Sequence, residues 1–198
     1  MLTVHEHFSF FPSLVSKFDI SHSYAEEDEV VDYLLSDPKG LSVPLLQGNA
    51  KRTYDLEILE NFLDLKYAIQ KCVDVYTVEA GLVPLEVGLS WSAIYENGSY
   101  IERHNHTGGS MVSGAYYPYI ESNVSSLLFE NPVSVLKPTD ESNGKITEYN
   151  SRGKEIHVSS GSLLLFPSWM FHYTNKNDSG KRIVISFDTK KQVDNHIK

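Results

Sequence analysis

Two periodicities divide this chain near residue 80. Upstream, apolar residues recur at three- and four-residue steps. Leu59, Phe62, Leu63, Ile69, Cys72, Val73 and Tyr76 form one stripe between about Leu56 and Tyr76, which predicts an amphipathic helix with Cys72 as a packed core thiol. A shorter helix is predicted over residues 26–36. Glu26, Glu27, Asp28 and Glu29 suit the positive end of its dipole, and Asp37-Pro38-Lys39-Gly40 supplies the stop. Residues 1–25 are aromatic and mixed, and Pro12 within Phe8–Leu14 favours an edge segment over a central strand.

Downstream the period changes from helical to alternating. Val87, Leu89, Trp91, Ala93 and Tyr95 alternate with smaller or polar residues, the pattern of a half-buried strand. Asn97-Gly98 predicts a tight turn, after which the chain returns through Tyr100-Ile101-Glu102-Arg103. Further strands are predicted at 113–117, 126–129, 155–158, 162–166 and 182–187. The stretch 140–153 is polar and turn-rich and reads as a surface loop. Several short strands after a helical region predict an α+β, mainly β fold: a jelly-roll core over 85–190 with N-terminal helices (1–80) packed on it, in one domain spanning 1–198.

Composition narrows the function. With 41% hydrophobic residues the chain can bury a sizeable core. Its net charge of −9, from 26 acids against 17 bases, and the lack of a basic stripe disfavour action on nucleic acid. Lys51-Arg52 and Lys190-Lys191 read as solvated surface. The single cysteine excludes an intrachain disulfide and a cysteine-based zinc finger, and it fits a reducing compartment. No apolar run is long enough for a membrane span, and the first residues lack a secretory pattern. A cytoplasmic location is therefore expected, and the Asn-x-Ser/Thr triplets at Asn97, Asn105, Asn123 and Asn177 read as chance. The apolar N-terminal segment offers a surface on which two chains could pair as a homodimer.

The candidate chemistry lies in Glu102-Arg103-His104-Asn105-His106-Thr107-Gly108-Gly109-Ser110, read with Phe166-Pro167-Ser168-Trp169-Met170-Phe171-His172. Side chains two apart on an extended segment share a face, so His104 and His106 point the same way. His172 ends a distant apolar run, and Arg182 opens the last strand. A close pair, a distant third ligand and a trailing arginine suit a mononuclear metal site with an open face. Arg182 reads either as a planar clamp for a carboxylate or as an edge-strand arginine in solvent, and its place after His172 favours the clamp. His5 and His7 also form a pair, but without a matching downstream partner. His22, His157 and His196 read as surface or packing residues.

Other chemistries fit less well. A cupin-type metal-binding protein or enzyme finds its glycines at Gly98 and Gly161. It lacks a glutamate after the pair, where Ser110 and Met111 stand, and it gives Arg182 no task. A structural zinc site normally has four protein ligands, often cysteines.

The sequence resembles the 2-oxoglutarate/Fe(II)-dependent oxygenases of the double-stranded β-helix fold, specifically a prolyl-hydroxylase-like family with a His-x-His…His motif. The matching residues are Trp91, His104-Asn105-His106, Ser113–Tyr117, Phe129–Pro132, Gly161–Trp169, His172 and Arg182–Phe187, across about 85–190. The resemblance implies Fe(II) ligands at His104, His106 and His172, with 2-oxoglutarate and O2 as co-substrates. It implies a salt bridge from Arg182 to the far carboxylate of 2-oxoglutarate and a hydrogen bond to that carboxylate from Tyr117. The activity implied is a hydroxylase that couples decarboxylation to succinate with C–H oxidation of a small-molecule, peptide or protein substrate. Trp169, Tyr95 and the 140–153 loop are candidates for the cavity wall or lid. Two departures stand out: His106 replaces the usual aspartate, and Val184 stands where some relatives carry serine.

Overall fold

A computed structural model describes residues 12–36, 43–53, 55–121, 126–133, 145–147 and 150–192. In chain order the elements are β1 (Ser16–Asp19), α1 (Glu27–Ser36), β2 (Leu46–Gln47), β3 (Lys51–Arg52), a 3₁₀ turn (Ile58–Asn61), α2 (Leu63–Glu79), β4 (Leu85–Tyr95) and β5 (Tyr100–Ile101). They continue with β6 (Val112–Ile120), β7 (Leu127–Glu130), β8 (Gly153–Ile156), β9 (Ser162–Pro167), β10 (His172–Thr174) and β11 (Arg182–Lys191). The major sheet is antiparallel in the order β1-β9-β6-β11-β4-β3. A smaller sheet has the order β10-β7-β8, and β2 pairs β5. Together they form a double-stranded β-helix, the fold class that the strand spacing predicts.

The major sheet is covered on one face by the helices and on the other by the smaller sheet. On the helical face, Val30 and Leu34 of α1 and Leu65, Ile69, Val73 and Tyr76 of α2 pack with Ile183, Ile185 and Phe187 of β11. Between the sheets, Ala93, Tyr95, Ala115, Tyr117, Phe129, Leu164, Phe166 and Val184 form a second core around a cavity. Continuous burial of Leu163–Phe166 follows from this double covering: a central strand with two apolar faces loses its alternation.

Helix α1 matches its prediction, whereas α2 begins later than predicted. Phe62 takes an extended backbone (φ −136°, ψ 80°) between the 3₁₀ turn and the helix, which shifts the phase. Leu63, expected in the stripe, is 63% exposed, and Leu65 is buried instead. Cys72 packs partly buried against the core, and burial raises its thiol pKa.

Strand β4 departs from simple alternation. Phe187 pairs with Ser90 and Thr189 with Val87, so Gly88 and Leu89 together oppose Asp188 in a bulge. The bulge sends Val87 to the helical core and turns Leu89, Trp91, Ala93 and Tyr95 to the cavity. A second bulge lies on β6, where Tyr117 and Pro118 together oppose Val184. Proline has no amide hydrogen to donate to the ladder, so an irregularity there costs little. The Asn97-Gly98 turn forms with Gly98 at φ 78°, but β5 does not return beside β4; it crosses to pair with β2.

Strands β1, β2 and β3 lie within residues 1–80, where helices are predicted, and β10 has no counterpart among the predicted strands. His5, His7, His196, the apolar stretch up to Phe11 and most of the 140–149 stretch lie outside the described residues.

Candidate active site

The backbone brings the distant histidines together. His104 donates its amide to the His172 carbonyl at 3.0 Å, and His172 returns the bond at 2.9 Å. Such a reciprocal antiparallel pair places both side chains on one face of the ladder. Two residues on, the amide of His106 donates to the Ser168 carbonyl at 2.8 Å, and its ring turns to the same side. One ligand-capable nitrogen from each of His104, His106 and His172 lies within 4.8 Å of the other two.

Hydrogen bonds fix which nitrogen each ring presents. Nδ1 of His104 faces the Glu102 carbonyl at 2.8 Å, and Nδ1 of His172 faces the Met170 carbonyl at 3.0 Å. A carbonyl only accepts, so each Nδ1 carries the hydrogen and Nε2 keeps its lone pair. Nδ1 of His106 faces Asp188 Oδ1 at 3.0 Å, with the same consequence. Three Nε2 lone pairs are thus left to converge, which is the donor set a borderline metal ion takes. Burial strengthens this state: it pushes the pKa of His104 down to about 4 and that of His172 down to about 3. Packing locks the rings. Trp91 stacks on His106 at 5.7 Å between centroids, and Phe166 meets His172 edge-on at 4.8 Å.

The histidines line a cavity of about 520 Å³ between the sheets. Arg182, 1% exposed, lines it as well. Its Nη2 donates to Thr174 Oγ1 at 3.0 Å, and its guanidinium carbon sits 4.2 Å from the centroid of the Tyr95 ring. Tyr117 lines the same cavity, and burial raises its phenol pKa despite the opposing effect of Arg182, so it stays a neutral O–H donor at ordinary pH. Leu46, Ala93, Leu127 and Val184 supply apolar wall. The structure therefore gathers all five sequence-predicted site residues around one space. Of the predicted wall residues Tyr95 lines it, whereas Trp169 is 45% exposed and does not. His22 and His157 are exposed at the surface.

Three further residues went unnoticed in the sequence. Arg52, read above as solvated surface, stands opposite Ala93 in the β3–β4 pairing and lines the cavity; its Nε is buried and meets no acceptor among the described residues. Thr174 holds Arg182. Asp188 holds His106, and its position was in principle readable: Arg182, Val184, Ser186 and Asp188 follow period two and all line the cavity.

A family model described as "Putative 2OG-Fe(II) oxygenase" matches residues 89–188, half of the chain. The chain belongs to that family. It is accordingly a 2-oxoglutarate- and Fe(II)-dependent oxygenase, an enzyme that uses O2 as co-substrate. Solved structures share the fold. A Pseudomonas putida prolyl-4-hydroxylase superposes with a TM-score of 0.55 at 13% identity, covering 91% of this chain and 94% of that one. The epimerase SnoN from nogalamycin biosynthesis gives 0.61 at 12% identity, covering 90% and 79%. HygX from Streptomyces hygroscopicus, solved with nickel, 2-oxoglutarate and hygromycin B, gives 0.57 at 13% identity, covering 91% and 84%. No curated protein sequence matches this chain.

Proposed function

We propose that the chain is a hydroxylase in which His104, His106 and His172 hold Fe(II) and Arg182, with Tyr117, holds the far carboxylate of 2-oxoglutarate. The observation that carries this reading is the convergence of three imidazoles, each with Nδ1 hydrogen-bonded away from the site, beside a buried arginine in one cavity. When bound, Fe(II) with 2-oxoglutarate and O2 supplies the oxidising power: 2-oxoglutarate gives succinate and CO2, and one oxygen atom passes to the substrate.

The chain's own residues bind, orient and exclude water. The planar guanidinium of Arg182 offers two parallel N–H donors to a carboxylate, with Thr174 and the Tyr95 face limiting its rotation. Tyr117 adds a neutral hydroxyl donor. The apolar wall lowers the local dielectric, which strengthens these polar contacts. A cupin-type protein that does not use 2-oxoglutarate would have no role for a buried arginine at this place.

The substrate proposed is a small molecule or a peptide or protein side chain, since the acidic chain presents no basic stripe for nucleic acid. We further read residues 1–198 as one domain, because α1 and α2 share a core with the major sheet. A cytoplasmic location is proposed from the single cysteine; no helix among the described residues is long and apolar enough to cross a membrane. We also propose that two chains pair through the apolar N-terminal segment, which sedimentation would show as a dimer.

The test is to screen small molecules and peptides for Fe(II)-dependent succinate formation and to weigh the products. A product one oxygen atom heavier than its substrate supports the hydroxylase. A product of unchanged mass, as an epimerase gives, contradicts it.

A further inference from the structure

Three imidazoles are neutral ligands, whereas the two-histidine, one-carboxylate set common for Fe(II) brings a negative charge with it. A carboxylate is nevertheless present, one shell further out. Asp188 Oδ1 lies 3.0 Å from Nδ1 of His106, the residue standing at the usual carboxylate position. Ser113 Oγ donates to the same oxygen at 2.6 Å and lies 2.9 Å from Ser168 Oγ, so the carboxylate is held from two sides. The side chains of His106 and Asp188 are 11% and 25% exposed, so water screens the pair less than a surface ion pair.

The other two histidines provide an internal comparison. Their Nδ1 partners are the neutral main-chain carbonyls of Glu102 and Met170. Among the described residues, His106 alone of the three rings has an anionic partner. The location is built by the sheet: β11 carries Asp188 onto the cavity face two positions beyond Ser186, opposite the β4 bulge at Gly88-Leu89.

We infer that Asp188 is a positioning residue that returns to the metal centre, through His106, the negative charge lost with the first-sphere carboxylate. The Nδ1–H···carboxylate contact polarises the His106 ring and makes its Nε2 a stronger donor than the other two. The inference rests on the proposed three-histidine ligation, and the experiment separates the two.

Metal-free protein is titrated with Co(II) while its visible bands are followed, in wild type and in Asp188→Asn, which keeps an acceptor oxygen but drops the charge. The expected result is a Co(II) affinity about 10–100-fold weaker in D188N, with shifted bands. Asp188→Glu should recover part of the loss, because it restores the charge. In a His106→Ala background D188N should have no further effect, because Asp188 acts through that ring. A D188N protein that melts earlier yet binds Co(II) with wild-type affinity and bands overturns the inference and leaves the three-histidine reading standing. Failure of wild type to bind Co(II) overturns both. If D188N does not fold, the wild-type protein loaded with Zn(II) decides: the Nδ1–H proton of His106 should resonate furthest downfield of the three, and equal shifts overturn the inference.

Discussion

His104 and His172 exchange both main-chain hydrogen bonds, at 3.0 and 2.9 Å, although most of the β core separates them in sequence. That pairing makes a metal site from a local motif and a remote residue: strand geometry aims His104 and His106 together, and the ladder adds His172. Replacing His172 with alanine removes a ring and leaves the pairing, because backbone atoms make it. His172→Ala is therefore expected to remain folded, with a native circular-dichroism spectrum, and to lose high-affinity Fe(II) binding in equilibrium dialysis. Retained tight binding would show that His172 is not a ligand.

Arg182 gives the co-substrate prediction. Hydrogen bonds to charged groups contribute about 1.5–3 kcal/mol each. Arg182→Met should therefore weaken 2-oxoglutarate binding by at least about 10-fold and leave Fe(II) affinity near wild type. Arg182→Lys should recover little, since a lysine carries the charge without the planar fork. Calorimetric titration of the metal-loaded variants checks this, and unchanged 2-oxoglutarate affinity in the methionine variant contradicts it.

Acid should destabilise the metal-free protein in a defined window. An unfolded histidine titrates near about 6.5, while burial holds folded His104 down at about 4 and His172 at about 3. Between those values the unfolded chain binds protons that the folded site refuses. The stability from these two groups is present above about 6.5 and is lost as pH falls toward the folded values. The melting temperature of metal-free wild type should fall through that window, and a His104→Asn/His172→Asn double variant should show a shallower slope. Equal slopes would contradict the assignment.

Gly114 is a packing constraint behind the site. A Cβ placed there would lie 2.1 Å from the Phe187 ring on the neighbouring strand. Overpacking of this kind costs about 1–3 kcal/mol, so Gly114→Ala should lower the melting temperature by several degrees. Gly114→Ala/Phe187→Leu should regain part of the loss, because leucine vacates the clashing ring edge. A neutral single variant would show that β6 and β11 separate easily.

Much of this site was legible because period two is a local property. It aligns His104 with His106 without any tertiary knowledge, and it reads Arg182 onto an inward face. Asp188 lies on the same period, but the predicted strand ends at Phe187, one residue short. Other features depend on partners that a single segment does not reveal. The β4 bulge, which separates Val87 from Trp91, exists only against Asp188 on β11. Arg52 looks like any surface cation until β3 is laid opposite Ala93. The late start of α2 rests on the extended backbone of Phe62, where an unbroken apolar stripe gave no sign of a stop.

The most direct test of the account is an anaerobic titration of metal-free protein with Fe(II) and 2-oxoglutarate, following the visible charge-transfer band of the chelate. The expected band requires both additions, weakens in Arg182→Ala and is lost in His106→Ala. Tight Fe(II) binding with no band would contradict the 2-oxoglutarate site. Survival of the band in His106→Ala would reduce His106 to a wall residue.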